Sequence, residues 1–151
     1  MKKLFEFSPE DVYLKIESPN EIEHMLRNGD KNTSSRLIKL LLDKFERELF
    51  LGGSVLKNQI YNRPKNYNDI DFLIVSESEA HYNTLLKNNF HKIEELKNIN
   101  KEISELKPKK ENILTDFPHI CLTNSKGSDF HLHFDYYHKD KSTCFHIPDY
   151  R

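Results

Sequence analysis

Asp69 and Asp71 stand one residue apart at the start of the apolar run NDIDFLIV (68–75). Alternate side chains of a strand share a face, so the two carboxylates project together. Held that close they repel one another, and each costs free energy to desolvate. A divalent cation between them relieves the repulsion, and Mg2+, or Mn2+ in its place, prefers carboxylate oxygens combined with substrate phosphates. Upstream, Gly52-Gly53-Ser54 closes another short apolar run. Glycines let a backbone approach a ligand closely, N–H groups at a helix start attract phosphate, and the Ser54 hydroxyl adds a further donor. A third carboxylate, Asp135, lies in HLHFDYY (131–137). Phe130, Leu132, Phe134 and Tyr136 alternate there with His131, His133, Asp135 and Tyr137. The apolar set must turn to the core, which leaves Asp135 on the polar face. It is expected to meet Asp69 and Asp71 and to hold the second ion of a two-metal site, which clamps the attacking and leaving oxygens of an in-line displacement.

Cations flank this constellation. Arg63 and Lys65 lie in the loop NRPKNYN just before the aspartates, where they could pair with phosphate. Lys107, Lys109 and Lys110 form a basic stretch suited to a nucleic-acid backbone, although neighbouring glutamates nearly cancel its charge.

The elements that must position these groups can be read from pattern. SPED (8–11) and SPNE (18–21) each place Ser, Pro and an acid as at a helix start, and the second would run through Ile22, Met25 and Leu26 to stop near Asn28-Gly29. Leu37, Ile38, Leu41, Leu42 and Phe45 recur at helical spacing between Thr33 and Arg47. ELFLGGS reads as a strand entering a tight turn, VLKNQIY as a short helix and DIDFLIV as the central strand. Ser76 with Glu79 offers a capping box for a helix through Leu85 and Leu86, and residues 91–107 read as helical up to the KPKK break, with FHKIEE also open to a strand start. HICLTNS and DFHLHFDYYH flank Lys126-Gly127 and read as two antiparallel strands. The expected fold is α+β (mixed α/β), a small mixed sheet with helices packed on one face, in a single domain over 1–151 with a helical segment over about 1–48.

The order of these motifs resembles the polymerase-β-type nucleotidyltransferase superfamily: Gly-Gly-Ser at a strand end, a spacer, Asp-x-Asp in an apolar strand, then a lone Asp between bulky residues. LGGSV…NRPKNYNDIDFLIV is similar to the head domain of CCA-adding and bacterial poly(A) polymerases, and the bare Gly-Ser…Asp-x-Asp layout is shared with minimal nucleotidyltransferases. The resemblance implies that Asp69, Asp71 and Asp135 bind Mg2+ or Mn2+, and that Gly52, Gly53 and Ser54 hold the triphosphate of an NTP such as ATP. It implies transfer of a nucleoside monophosphate to a hydroxyl acceptor (an RNA 3′ end, a protein or a small molecule), with pyrophosphate leaving. Leu56 and Lys57 depart from the Arg-Asp pair of the CCA-type head. No large helical domain follows the motifs, so a second subunit or a partner chain is the expected source of one.

Two other readings stay open. One is a non-catalytic relative that binds a nucleotide, RNA or protein. The other is a small zinc hydrolase, since His131, His133 and Asp135 resemble the His-x-His-x-Asp-His motif of metallo-β-lactamase-fold enzymes, with Tyr136 at the closing position.

With 151 residues, 36% apolar and 31% charged, the chain suits one modest core under a solvated surface. A formal net charge of −1 gives no global pull toward nucleic acid or an anionic membrane. Cys121 and Cys144 lack the close spacing of a metal knuckle and read as reduced thiols. No run is long and apolar enough for a membrane span, and MKKLFEFSPED turns acidic early, so the expected location is cytoplasmic.

Overall fold

The computed structural model describes residues 4–8, 11–45, 48–88, 90–109 and 119–136. Cys144, Tyr137, Lys110 and Arg47 fall outside them. The fold is α+β and is built on one seven-stranded mixed sheet. Its strands are β1 (Leu4–Ser8), β2 (Asp11–Ile16), β3 (Glu48–Gly52), β4 (Asp69–Ser76), β5 (Leu106–Pro108), β6 (His119–Asn124) and β7 (Asp129–Tyr136). They lie in the order β1-β2-β3-β4-β7-β6-β5. All neighbours are antiparallel except β4 and β7, which run parallel. The helices are α1 (Asn28–Lys44), α2 (Gly53–Ile60), α3 (Glu79–Asn88) and α4 (Phe90–Glu95). No helix among the described residues is long and apolar enough to cross a membrane.

Register explains the layers. Leu14, Leu51, Phe72, Leu132 and Ile120 are successive partners across five strands. Residues in register share a face, so this row is one rib of the core, and all five side chains are buried. Leu37, Ile38 and Leu41 of α1, Val55 and Leu56 of α2, and Leu85 of α3 join it in the same cluster. Phe45, just past α1, meets Phe134 of β7 edge to face at 5.5 Å between centroids, a geometry worth about 0.5–1.5 kcal/mol beyond area burial. The opposite rows of the sheet carry most of the chemistry-bearing side chains.

The elements around the aspartates follow expectation: β3, the turn, α2, the loop, β4 and the β6–β7 hairpin. The N-terminal third does not. The stretch read as helical over 1–48 begins with the antiparallel strands β1 and β2, in which Ser8 and Asp11 of the cap signature SPED are register partners, while Pro9 and Glu10 lie outside the described residues. SPNE leads only into a turn and one short 3-10 helix, Glu23–Met25. Glu21 Oε1 accepts the backbone N–H groups of Glu17 and Ser18 and so closes that turn locally. Asn28-Gly29, expected as a helix stop, opens α1, which ends at Lys44 and not Arg47. The expected helix over 91–107 breaks into α4, a 3-10 stretch (Leu96–Lys101) and edge strand β5. The cap of α3 is Ser78, whose hydroxyl accepts the His81 N–H at 3.3 Å, and not Ser76.

Candidate functional site

Strands β3 and β4 meet head to tail at the site. Gly52, the last residue of β3, is the register partner of Asp71, and the chain then turns into α2. Gly53 takes φ +72, and a Cβ there would overlap the Asp71 carboxylate, so the position demands glycine twice over. Gly52 faces a different constraint, because a Cβ would fall 2.5 Å from the Tyr13 ring. The outcome is an Asp71 carboxylate lying against the first residue of α2, a helix start, where N–H groups lack intrahelical acceptors. Ser54 follows in the same first turn, half-buried.

Asp69 and Asp71 share the polar face of β4, both partly exposed, as expected. Burial first, and then repulsion from Asp71, push the Asp69 carboxyl above its ordinary range, while His131 pulls the other way.

Asp135 does not join them. In the parallel ladder Asp69 pairs with Asp129 and Asp71 with His131, whereas Asp135 pairs with Val75. Four residues separate Val75 from Asp71, which is about 13 Å of strand. Asp135 is on the predicted face but at the far end of it, where its Oδ1 accepts the Tyr136 N–H at 2.7 Å. The three-carboxylate, two-ion centre is therefore not assembled. Arg63 and Lys65 stay exposed in the α2–β4 loop, with the Arg63 guanidinium 4.9 Å from the centroid of the Tyr61 ring.

No protein-family model, curated protein or solved structure matches the chain. The chemistry of the site rests on its own geometry.

What occupies the level of the two aspartates on β7 is His131. Its Nε2 lies 3.7 Å from Asp69 Oδ2 and its Nδ1 lies 3.8 Å from Asp71 Oδ1. His133 Nε2 is 3.7 Å from the same Asp71 oxygen. Asp129 faces Asp69 but is committed elsewhere, since it accepts a hydrogen bond from Lys109 Nζ at 2.7 Å. That carboxylate holds the Lys109 ammonium above the usual amine range. Of the expected basic stretch, Lys109 is thus an intramolecular counter-ion and Lys107 an exposed edge residue.

Asp69, Asp71 and His131 offer three ligand atoms within 4.8 Å of one another. This set fits one dication, with two hard oxygens and an imidazole beside them. It does not fit a two-ion carboxylate clamp. Asp129 and His119 were missed from sequence, because their arrival depends on the register of β7 against β4 and β6.

Near the same end of the sheet a cavity of about 390 Å³ opens beside Asn68, between the start of α1 and the β6–β7 turn. Arg27 and Lys126 line it, and Asp30 lies buried in its wall. Asp30 accepts from the Tyr67 hydroxyl at 2.5 Å and from Asn124 Nδ2 at 3.3 Å. The Tyr67 oxygen also accepts the Arg27 backbone N–H at 3.0 Å. This buried network ties α1 to the residues that lead into β4.

Proposed function

We propose that the chain is a divalent-metal-dependent nucleotidyltransferase that moves a nucleoside monophosphate from an NTP to a hydroxyl acceptor. The observation that carries this reading is the contact between the Asp71 carboxylate and Gly53. It brings a cation-holding group against the backbone N–H groups of a helix start, the two partners a metal–triphosphate needs at once.

Asp69 and Asp71 hold the ion, Mg2+ or Mn2+, with His131 alongside. When bound, that ion supplies charge neutralisation on the phosphates. The N–H groups of Gly53 and Ser54 and the Ser54 hydroxyl receive phosphate oxygens and fix the triphosphate in line with the acceptor. The acceptor oxygen bonds to the α-phosphorus, the bond from that phosphorus to the β-phosphate bridge oxygen breaks, and pyrophosphate leaves. The acceptor proton passes to solvent. Positioning and charge compensation account for such catalysis with no covalent role for the protein. The cavity beside Asn68 is of a size to take a small ligand. Arg27 and Lys126 there favour an anionic one, such as the nucleotide or its acceptor. The acceptor is an RNA 3′ end, a protein hydroxyl or a small molecule, and the setting is cytoplasmic.

The distance of Asp135 from the aspartate pair favours a second reading, a nucleotide-binding protein without turnover. Incubation of the full chain with each labelled NTP, Mg2+ or Mn2+ and a mixed extract separates the two. Labelled product and pyrophosphate that vanish in Asp71→Asn, with the fold retained, support transfer. Saturable NTP binding without product supports the binding protein, and absence of both overturns the nucleotide reading.

A further inference from the structure

The same polar face of the sheet carries a second and chemically different cluster. His119 of β6 and His133 of β7 are register partners, and His131 lies two residues before His133 on the same face. Cβ atoms of directly opposed strand residues stand about 4.5–5.5 Å apart, which lets two imidazoles converge above the sheet. Here three do. The His119 and His133 rings stack with centroids 4.6 Å apart, and His119 meets His131 at 4.7 Å. His119 Nε2 and His131 Nδ1 are 3.0 Å apart. Two imidazole nitrogens on one tetrahedral zinc ion, each at about 2.0–2.1 Å from the metal, sit roughly 3.3 Å apart. One ligand nitrogen from each of the three rings falls within 4.8 Å of the others.

Three imidazoles form a different donor set from two carboxylates. Nitrogen donors suit zinc, cobalt, nickel and copper, whereas carboxylate oxygens suit magnesium and manganese. The rings are also held on a hydrogen-bonded ladder, where backbone geometry fixes their spacing better than a loop would. Nearby carboxylates add a favourable field, since Asp71 Oδ1 stands 3.7 Å from His133 Nε2.

We infer that His119, His131 and His133 form a binding site for a zinc-class transition-metal dication, distinct from the carboxylate pair beside it. The inference does not depend on nucleotide transfer, because the donor set is complete without Asp69 or any NTP. His131 links the two clusters, turning Nε2 toward Asp69 and Nδ1 toward His119.

The test uses the full chain stripped with a chelator and titrated with zinc against a chromophoric competitor. Cobalt is then substituted to read nitrogen coordination from its visible spectrum. The expected result is one zinc per chain, bound at least about tenfold more weakly by His119→Ala and by the milder His119→Gln, and weakened less by Asp69→Asn, which keeps all three nitrogens and removes only the charge beside His131 Nε2. Circular dichroism of each variant checks that the sheet remains. The inference is overturned if the folded chain shows no saturable zinc binding, if folded His119→Ala and His119→Gln bind zinc as tightly as the parent, or if cobalt gives the spectrum of an all-oxygen shell. Failure of zinc binding would leave NTP turnover unaffected, so the two proposals fail separately.

Discussion

The Asp71 carboxylate lies directly against the α-carbon of Gly53, across the junction where β3 gives way to α2. Gly53→Ala must therefore adopt a left-handed φ and displace that carboxylate together. The backbone alone costs about 1–2 kcal/mol. Thermal unfolding is expected to show at least that loss, and calorimetry a fall in Mn2+ affinity relative to the parent. Unchanged metal affinity in a folded Gly53→Ala protein would separate Asp71 from the helix start.

Asp71 and Asp135, equivalent by resemblance, should differ in effect. Asp71→Asn is expected to abolish NTP turnover and weaken Mn2+ binding, because it removes an oxygen donor beside His131. Asp135→Asn is expected to leave Mn2+ binding within a factor of about two, since four residues of strand, roughly 13 Å, separate it from the pair. Parallel titrations of the two variants by Mn2+ electron paramagnetic resonance decide the matter.

Asp30 is 2% exposed and satisfies both Tyr67 and Asn124. Asp30→Ala strands two buried polar groups at once, and a loss of about 2–4 kcal/mol in urea unfolding is expected. Tyr67→Phe removes one hydroxyl and should cost less, about 1–2 kcal/mol.

Glu105 gives a pH signature. Burial raises its carboxyl, but its own backbone hydrogen bond, the Thr33 hydroxyl and Arg36 outweigh that, so the folded pKa lies below the ordinary glutamate value. Thr33 Oγ1 donates at 3.0 Å and Arg36 Nη1 at 3.0 Å. A carboxyl lowered on folding stabilises the protein above its unfolded pKa, and that contribution disappears as pH falls through the folded pKa. Glu105→Gln should thus lose about 1 kcal/mol near neutrality. The gap to the parent should shrink below about pH 4.3, the ordinary glutamate value. Melting curves from neutral pH downward read this directly.

How much of this was legible depended on whether the signal was local. Gly52-Gly53-Ser54 and the run after Asp69 announce a turn and a buried strand through their own composition, and both appear where expected. SPED misled because a helix-cap pattern of four residues competed with alternation on either side, and Leu14 and Ile16 are both buried on β2. Alternation along β7 correctly gave the face of Asp135 but said nothing of its height. Height is fixed by register against β4, a property of two segments far apart in sequence. The same register brought His131 and Asp129 to the aspartates and, through β6, His119 to His131; of these only His131 stood in a motif, and that motif pointed to a different set of partners.

The parallel pairing of β4 with β7 also dictates when the cluster of aspartates and imidazole can assemble during folding. Its rungs join Asp69 to Asp129 and Asp71 to His131, partners that no hairpin can deliver. Closing so long a loop is entropically slow, and contacts of this kind form after local ones. Early folding species would carry the aspartates and glycines in place yet lack the imidazole beside them. Competence to capture a cation would then report completion of the native topology, not merely collapse.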